Sequence, residues 1–265
     1  MKQTVLITGA SGGLGLSLAH RFAKEGYNLI LTARSADKLT AAKEALEAAH
    51  GITVTPIPHD LGAPSAAQTL MAAVRDRGLT VDILVNNAGF GDFGAFADSD
   101  IDKQSAMVDL NVKALMELTH AVLPAMRENR RGKILNVASI AAFQQGPYMS
   151  VYYATKAFVL NFSQALAHEL KDSGITVTVL CPGPIDTGFV DAADLSRSKL
   201  FRSLPVATPD DVADYGYKSL MKNKTVAIHR FSNKLLIFSG RFAPRKLISY
   251  MICRIQGEIP SSKKE

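Results

Sequence analysis

The 265-residue chain has no tryptophan, aromatic residues make up only 7% of it, and cysteine occurs twice, at Cys181 and Cys253. Two isolated cysteines exclude a disulfide framework and supply no thiolate zinc cluster, so no metal site is expected. No stretch approaches the roughly 20 uninterrupted apolar residues that a membrane-spanning helix requires. There is no secretory leader either. Met1-Lys2-Gln3 runs directly into an apolar strand and then glycines, which reads as a cytoplasmic protein. Internal repeats and Pro/Gly/Ser-rich linkers are absent. What is present is ordinary globular material, 47% apolar and 20% charged, long enough to bury a large core without staples.

Charge is unevenly placed. The net charge is +6, yet Lys224 to Glu265 holds nine Lys/Arg against two Asp/Glu, leaving the first 223 residues close to neutral. The basic character belongs to the tail, which argues against nucleic acid as a partner of the main body.

Strand-like apolar runs alternate with longer amphipathic segments. Thr4–Ile7, Leu29–Leu31, Ile52–Thr55, Ile83–Val85, Ile134–Val137, Ile175–Leu180 and Val226–Ile228 read as strands. Gly13–Glu25, Ala36–His50, Ser65–Arg77, Asp100–Asn129 and Val151–Ser173 read as helices, and Pro209-Asp210-Asp211 as the start of another. Pro124 is expected to kink or break the fourth of these helices, and Gly174 to end the fifth in the C′ position. Such alternation predicts βαβ units. The expectation is an α/β single-domain Rossmann fold: a doubly wound parallel sheet of about seven strands with helices on both faces. It covers residues 1–228, and residues 229–265 form a basic amphipathic helical extension.

Gly9-Ala10-Ser11-Gly12-Gly13-Leu14-Gly15 follows the first strand and opens the first helix. Glycines at 9, 13 and 15 permit positive φ and close backbone approach, and the helix N-terminus offers free N–H groups to a pyrophosphate. The strand–turn–helix context makes this a dinucleotide-binding signature. At the end of the second strand no acid precedes Arg34-Ser35, where an NAD-binding chain usually carries Asp or Glu. A guanidinium beside a hydroxyl suits a 2′-phosphate, so NADP(H) is predicted over NAD(H).

Tyr152 and Lys156 stand at i and i+4 on one helix face. A phenol titrates near pH 10, and a neighbouring ammonium favours phenolate, making Tyr152 suited to general acid/base work on a carbonyl or alcohol. Tyr153 and Tyr148 compete for that role on spacing alone.

Together with Thr8, Asn86-Asn87-Ala88-Gly89, Asn111, Ser139, Pro182-Gly183 and Thr187, these motifs closely resemble the short-chain dehydrogenase/reductase family, over about Thr4 to Met221. The resemblance implies that Tyr152 exchanges the proton with the substrate oxygen, Ser139 holds that oxygen, and Lys156 binds the nicotinamide ribose and lowers the Tyr152 pKa. It implies that Asn111 anchors a water leading from Lys156. Asn87 and Gly89 would edge the cofactor, Asp60 with Leu61 would contact adenine, and Ile185 and Thr187 would contact the carboxamide. It further implies a homodimer or homotetramer built on the long helices around Asn111 and Tyr152.

In the family the segment corresponding to Asp186–Leu204 closes over the substrate. Here it mixes Phe189, Val190, Leu195, Leu200 and Phe201 with Arg197, Lys199 and Arg202. Ala142–Gln145 and Phe90–Phe93 are further candidates for lining the pocket. In the tail, Phe231, Leu235, Phe238 and Phe242, then Leu247, Ile248, Met251, Ile252 and Ile255 after Pro244, recur at near-helical spacing among Arg241, Arg245, Lys246 and Arg254. Such a helix packs on the core or a second subunit, covers the active site, or lies in a membrane interface, and packing is the preferred reading. The expected activity is that of an NADP(H)-dependent carbonyl reductase or alcohol dehydrogenase acting on a small molecule. The alternatives are a non-catalytic NADP(H)-binding sensor or membrane-associated scaffold, and nucleotide-sugar epimerase or dehydratase chemistry.

Overall fold

Seven β-branched and Leu-rich segments form one sheet in a computed structural model that describes residues 2–187 and 206–257. The strands are β1 (Thr4–Thr8), β2 (Asn28–Ala33), β3 (Val54–Pro58), β4 (Ile83–Asn86), β5 (Gly132–Val137), β6 (Ile175–Cys181) and β7 (Val226–Ile228). All pair in parallel, in the order β3-β2-β1-β4-β5-β6-β7. A parallel sheet needs crossovers, and these are helices covering both faces.

Side chains alternate between the two faces along each strand. In β1, Val5 and Ile7 join a cluster with Leu14, Leu18 and Phe22 of α1 (Gly13–Lys24) and Leu39 and Leu46 of α2 (Ala36–His50). Leu6 points the other way, into a cluster with Leu70 and Val74 of α3 (Ala66–Asp76) and Leu118 and Val122 of α5 (Leu115–Glu128). The remaining described helices are α4 (Ile101–Val108), α6 (Ser150–Glu169), α7 (Pro209–Met221), α8 (Phe231–Gly240) and α9 (Arg245–Gln256). Pro209 stands at the start of α7, and the Thr208 hydroxyl caps that helix on Asp211 N.

Besides small shifts, such as β3 running Val54–Pro58 where Ile52–Thr55 was expected, two differences from the sequence expectation have a clear cause. The stretch from Asp100 to Asn129 is interrupted at Asp109–Ala114, which winds as a π-helix, whereas Pro124 lies within α5. The wider π turn carries Asn111, whose amide bonds the Phe90 backbone and Thr155 instead of facing solvent. The helix expected to reach Ser173 ends at Glu169, so Gly174 is not its C′ residue. Gly174 (φ 79°) instead lets the chain pass Arg130, whose carbonyl oxygen would lie 1.9 Å from an added Cβ.

A buried polar chain ties the sheet to the helices behind it. Asn86 Nδ2 donates to Thr119 Oγ1 at 3.0 Å and to Asn136 Oδ1 at 2.9 Å, and Asn136 Nδ2 donates to Ser163 Oγ at 2.9 Å. Interior hydrogen bonds of this kind fix β4 and β5 against α5 and α6 in one register. They hold the strand ends that carry the site.

Candidate active site

Strand order reverses between β1 and β4, and a ligand crevice opens there, beyond the carboxyl ends of the strands. Two residues shape its floor. The Thr8 hydroxyl accepts from the backbone N–H groups of Asn87 and Ala88, both at 2.9 Å, while Asn87 Nδ2 donates to the carbonyls of Thr8 (2.9 Å) and Gly9 (3.3 Å). A side chain at Gly9 (φ 66°) would sit 2.9 Å from Asn87 Nδ2, and one at Gly15 would lie 2.2 Å from the Gly9 oxygen. The helix that follows begins at Gly13 with no side chain capping its first N–H groups. A turn with glycine at its tightest points, Gly9 and Gly15, and an uncapped helix start fit the pyrophosphate of a dinucleotide.

The other end of the crevice carries the reactive groups. Ser139 follows the end of β5 by two residues and opens a 3₁₀ turn, Ile140–Phe143, by accepting from Ala141 N at 3.1 Å. Its hydroxyl also hydrogen-bonds the Tyr152 phenol. Tyr152 and Lys156 project from the first two turns of α6, as their spacing requires. Lys156 Nζ donates to the Val137 carbonyl at 3.0 Å and lies 5.7 Å from the centre of the Tyr152 ring.

Burial governs the protonation of this group. Desolvation pushes the Tyr152 phenol up to about 12, with the Ser139 hydrogen bond pulling the other way. It pulls the Lys156 ammonium down to about 8, opposed by the nearby Cys181 sulfur. The expected lowering of the Tyr152 pKa by Lys156 is therefore not what this geometry produces. The ammonium is too far off, and too engaged with Val137, to outweigh burial. Tyr153, the competing phenol, is packed with Phe93, Ala141 and Met149, and its hydroxyl meets Gln256. Burial raises its pKa still more strongly. Tyr148 lies apart, half-exposed, with its ring 6.0 Å from Phe93.

These groups share one cavity of about 680 Å³. Of the residues singled out from sequence, Gly9, Ser11, Gly13, Leu14, Gly15, Asn87, Ala88, Gly89, Ser139, Tyr152, Lys156, Pro182, Gly183, Ile185 and Thr187 all line it. Asn111 stands just behind the wall, with its Oδ1 2.8 Å from where a Cβ on Gly89 would be. Arg34, Ser35, Asp60 and Leu61 lie outside this lining, at the carboxyl edges of β2 and β3. Ser35 caps α2, Asp60 closes a turn on Gly62 N, and the Leu61 side chain is buried in the core.

Three contributors were missed or misplaced by sequence reasoning. Lys38, in the first turn of α2, lines the cavity where Arg34 does not. Its signal was its position one turn after Arg34, with a second positive charge. Of the flanking segments, Gln144 lines the cavity, but Ala142, Phe143, Gln145 and Phe90–Phe93 do not. The tail does so extensively, through Leu236, Ser239, Ile248, Met251, Ile252 and Gln256. The apolar and basic residues expected to close over the substrate between Phe189 and Arg202 fall outside the described residues.

The model for the short chain dehydrogenase family matches residues 3–197. A ketoacyl reductase, HetN, of Nostoc sp. is 34% identical over 250 residues, spanning 91% of this chain and 85% of that relative. A short-chain dehydrogenase from Sphingobium yanoikuyae, solved in complex with NADPH, superposes with a TM-score of 0.81 at 32% identity, covering 90% of this chain and 93% of that one. A short chain dehydrogenase/reductase from Burkholderia phymatum, solved in complex with NAD, superposes with a TM-score of 0.79 at 25% identity, covering 89% and 92%.

Proposed function

The chain belongs to the short-chain dehydrogenase/reductase family of oxidoreductases, and from that premise we propose that it is an NADP(H)-dependent carbonyl reductase, reversible as an alcohol dehydrogenase. The observation that carries this reading is the convergence of Ser139, Tyr152 and Lys156 on one cavity that the glycine turn also lines. The dinucleotide, when bound on that turn, supplies the hydride in reduction and accepts it in oxidation.

The protein's own groups position the substrate and handle the proton. The Ser139 and Tyr152 hydroxyls lie together in the cavity, hydrogen-bonded to one another, and a carbonyl oxygen entering there would accept their protons in place of that bond. Two preorganised donors stabilise the oxyanion as it develops. Tyr152, protonated throughout the neutral range, gives up its proton as general acid. The charge that forms on its oxygen is partly balanced by the Lys156 ammonium. A purely binding protein has no use for this arrangement, which speaks against the sensor reading.

The NADP(H) preference rests on Lys38 and Arg34, two cations beside the turn with no acid at the end of β2. The substrate class follows from the lining around the phenol. Ile140, Ala141, Met149, Ile248, Met251 and Ile252 favour a carbonyl compound with a sizeable apolar group. A homodimer or tetramer is supported by a second, apolar depression of about 500 Å³ outside α4 and α6, where Phe96, Val108 and Phe158 are exposed.

The test is NADPH oxidation against aromatic and long-chain ketones, 3-oxoacyl thioesters and short aldehydes. Turnover that vanishes in Tyr152→Phe supports the reading. Tight NADPH binding with no turnover on any member of the panel counts against it.

A further inference from the structure

The last two helices have two faces, and the cavity uses only one. On α9, Ile248, Ile252 and Gln256 recur every four residues and line the cavity, with Ile252 and Gln256 buried. Leu247, Tyr250 and Arg254 lie on the opposite side and are exposed. The preceding helix continues that outer face. Phe231 and Phe242 are each 77% exposed, and Leu235 and Phe238 more than half exposed. Among the described residues, eight of the fifteen exposed large apolar side chains fall between Phe231 and Met251, and six of them, all but Leu236 and Met251, lie outside the cavity lining, so these six are a patch and not scattered surface apolars.

Charge around the patch has one sign. Lys234, Arg241, Lys246 and Arg254 are exposed there, and between Lys224 and Gly257 there is no Asp or Glu. A two-fold contact between copies through this face would set cation against cation, so a second copy is a poor occupant. The core of the molecule cannot cover it, since the inner face is already committed to the cavity. No helix among the described residues is long and apolar enough to cross a membrane. Aromatic and aliphatic side chains ringed by lysine and arginine match the interface of an anionic bilayer, with rings at the headgroup level and cations toward the lipid phosphates.

We propose that α8 and α9 form an interfacial module that seats the protein on an anionic lipid bilayer, with the outer face of the pair in the headgroup region and the inner face walling the cavity. The module would lie in the plane of the interface. It would place the cavity's tail-built wall against the lipid, where compounds with large apolar groups partition.

The test uses the full chain and vesicle flotation, with neither cofactor nor substrate, so its outcome is independent of the proposed activity. Binding to phosphatidylglycerol/phosphatidylcholine vesicles at low salt is expected, weakening with added salt and at least tenfold weaker on phosphatidylcholine alone. Arg241→Glu with Lys246→Glu is expected to weaken binding at least tenfold, and Phe238→Ser with Phe242→Ser to a similar extent. Unchanged thermal unfolding and NADPH binding would confirm that both variants are folded. Failure of the wild-type chain to float with anionic vesicles overturns the proposal. So does equal binding to neutral vesicles, or a dimer in sedimentation that the same variants dissociate while vesicle binding stays nil.

Discussion

Lys156 reaches toward Tyr152 but gives its hydrogen bond to the Val137 carbonyl, at 3.0 Å, leaving its Nζ 5.7 Å from the centre of the Tyr152 ring. The lysine's proton therefore goes to the backbone, and burial dominates the titration of both groups. Burial brings the lysine down to about 8 and the phenol up to about 12, so the lysine changes charge first as pH rises.

Carbonyl reduction is expected to stay level up to about pH 8 and to fall above it, as Lys156 loses its proton. Below that pH the ammonium is present to balance the phenolate formed when Tyr152 gives up its proton, and above it that balance disappears. Tyr152 itself remains protonated over the same range and is not the source of the limb. Lys156→Arg keeps its charge. It should be slower overall, from misfit in a buried site, but without the alkaline fall. A pH profile of kcat/KM for both proteins decides, and the same limb in the arginine variant would assign it to another group.

Tyr152 and Tyr153 are adjacent on α6, but their surroundings differ. Tyr152 meets Ser139 in the cavity, and Tyr153 meets Gln256 among apolar neighbours. Tyr152→Phe should cost about 10²–10⁴ in kcat with little change in NADPH affinity. Tyr153→Phe should leave kcat within about tenfold, since it removes no proton donor from the substrate oxygen. It removes one of the contacts that hold Gln256 in the cavity wall and should show chiefly as a higher KM for bulky ketones. Steady-state kinetics on both variants separates the roles, and equal losses of kcat would contradict the assignment.

Gly15 is the tightest point of the phosphate turn, because an added Cβ would lie 2.2 Å from the Gly9 oxygen and 2.6 Å from Asn87 Nδ2. Gly9 and Asn87 are held to each other and to Thr8, so the turn cannot yield without losing those hydrogen bonds. Gly15→Ala is expected to weaken NADPH binding at least tenfold and to destabilise the fold by about 1–3 kcal/mol. Gly94→Ala, outside the cavity lining and with nothing within 4 Å of the added carbon, is the control and should bind nearly normally. Fluorescence titration with NADPH and urea unfolding measure both effects.

The parallel sheet, the glycine turn and the Tyr152–Lys156 face were legible because each rests on local spacing, whereas Ser139 joined them only through the family resemblance. Period-two strands, a glycine cluster between strand and helix, and an i, i+4 pair are written in consecutive residues. The π turn at Asp109–Ala114 was not legible, since its cause is the tertiary reach of Asn111 to Phe90 and Thr155. The role of the tail was only half legible. Helical spacing showed two amphipathic segments, but which face would meet the cavity depended on Gln256 arriving beside Tyr153, 103 residues earlier in the chain. Proton energetics were the least legible. The i, i+4 rule put the ammonium near the phenol, but the balance of burial against charge is set by Val137, Cys181 and the closure of the cavity.

Lys38 lines the cavity beside the glycine turn, and Arg34 stands exposed one helical turn before it. Arg34 follows the end of β2 and Lys38 lies in the first turn of α2, the region where a 2′-phosphate distinguishes the two dinucleotides. If both act, the double variant Arg34→Asp/Lys38→Ala should lose NADPH affinity by about a hundredfold, as two charge-assisted contacts vanish, while NADH affinity stays level or improves. Lys38→Ala alone should account for about tenfold. Arg34 and Lys38 stand four residues apart, so their effects need not add. Added salt should weaken wild-type NADPH binding more than NADH binding and should leave the double variant nearly indifferent. Titrations of both cofactors at two ionic strengths read all of these, and NADPH affinity unchanged in the double variant would remove the NADP(H) preference from the reading.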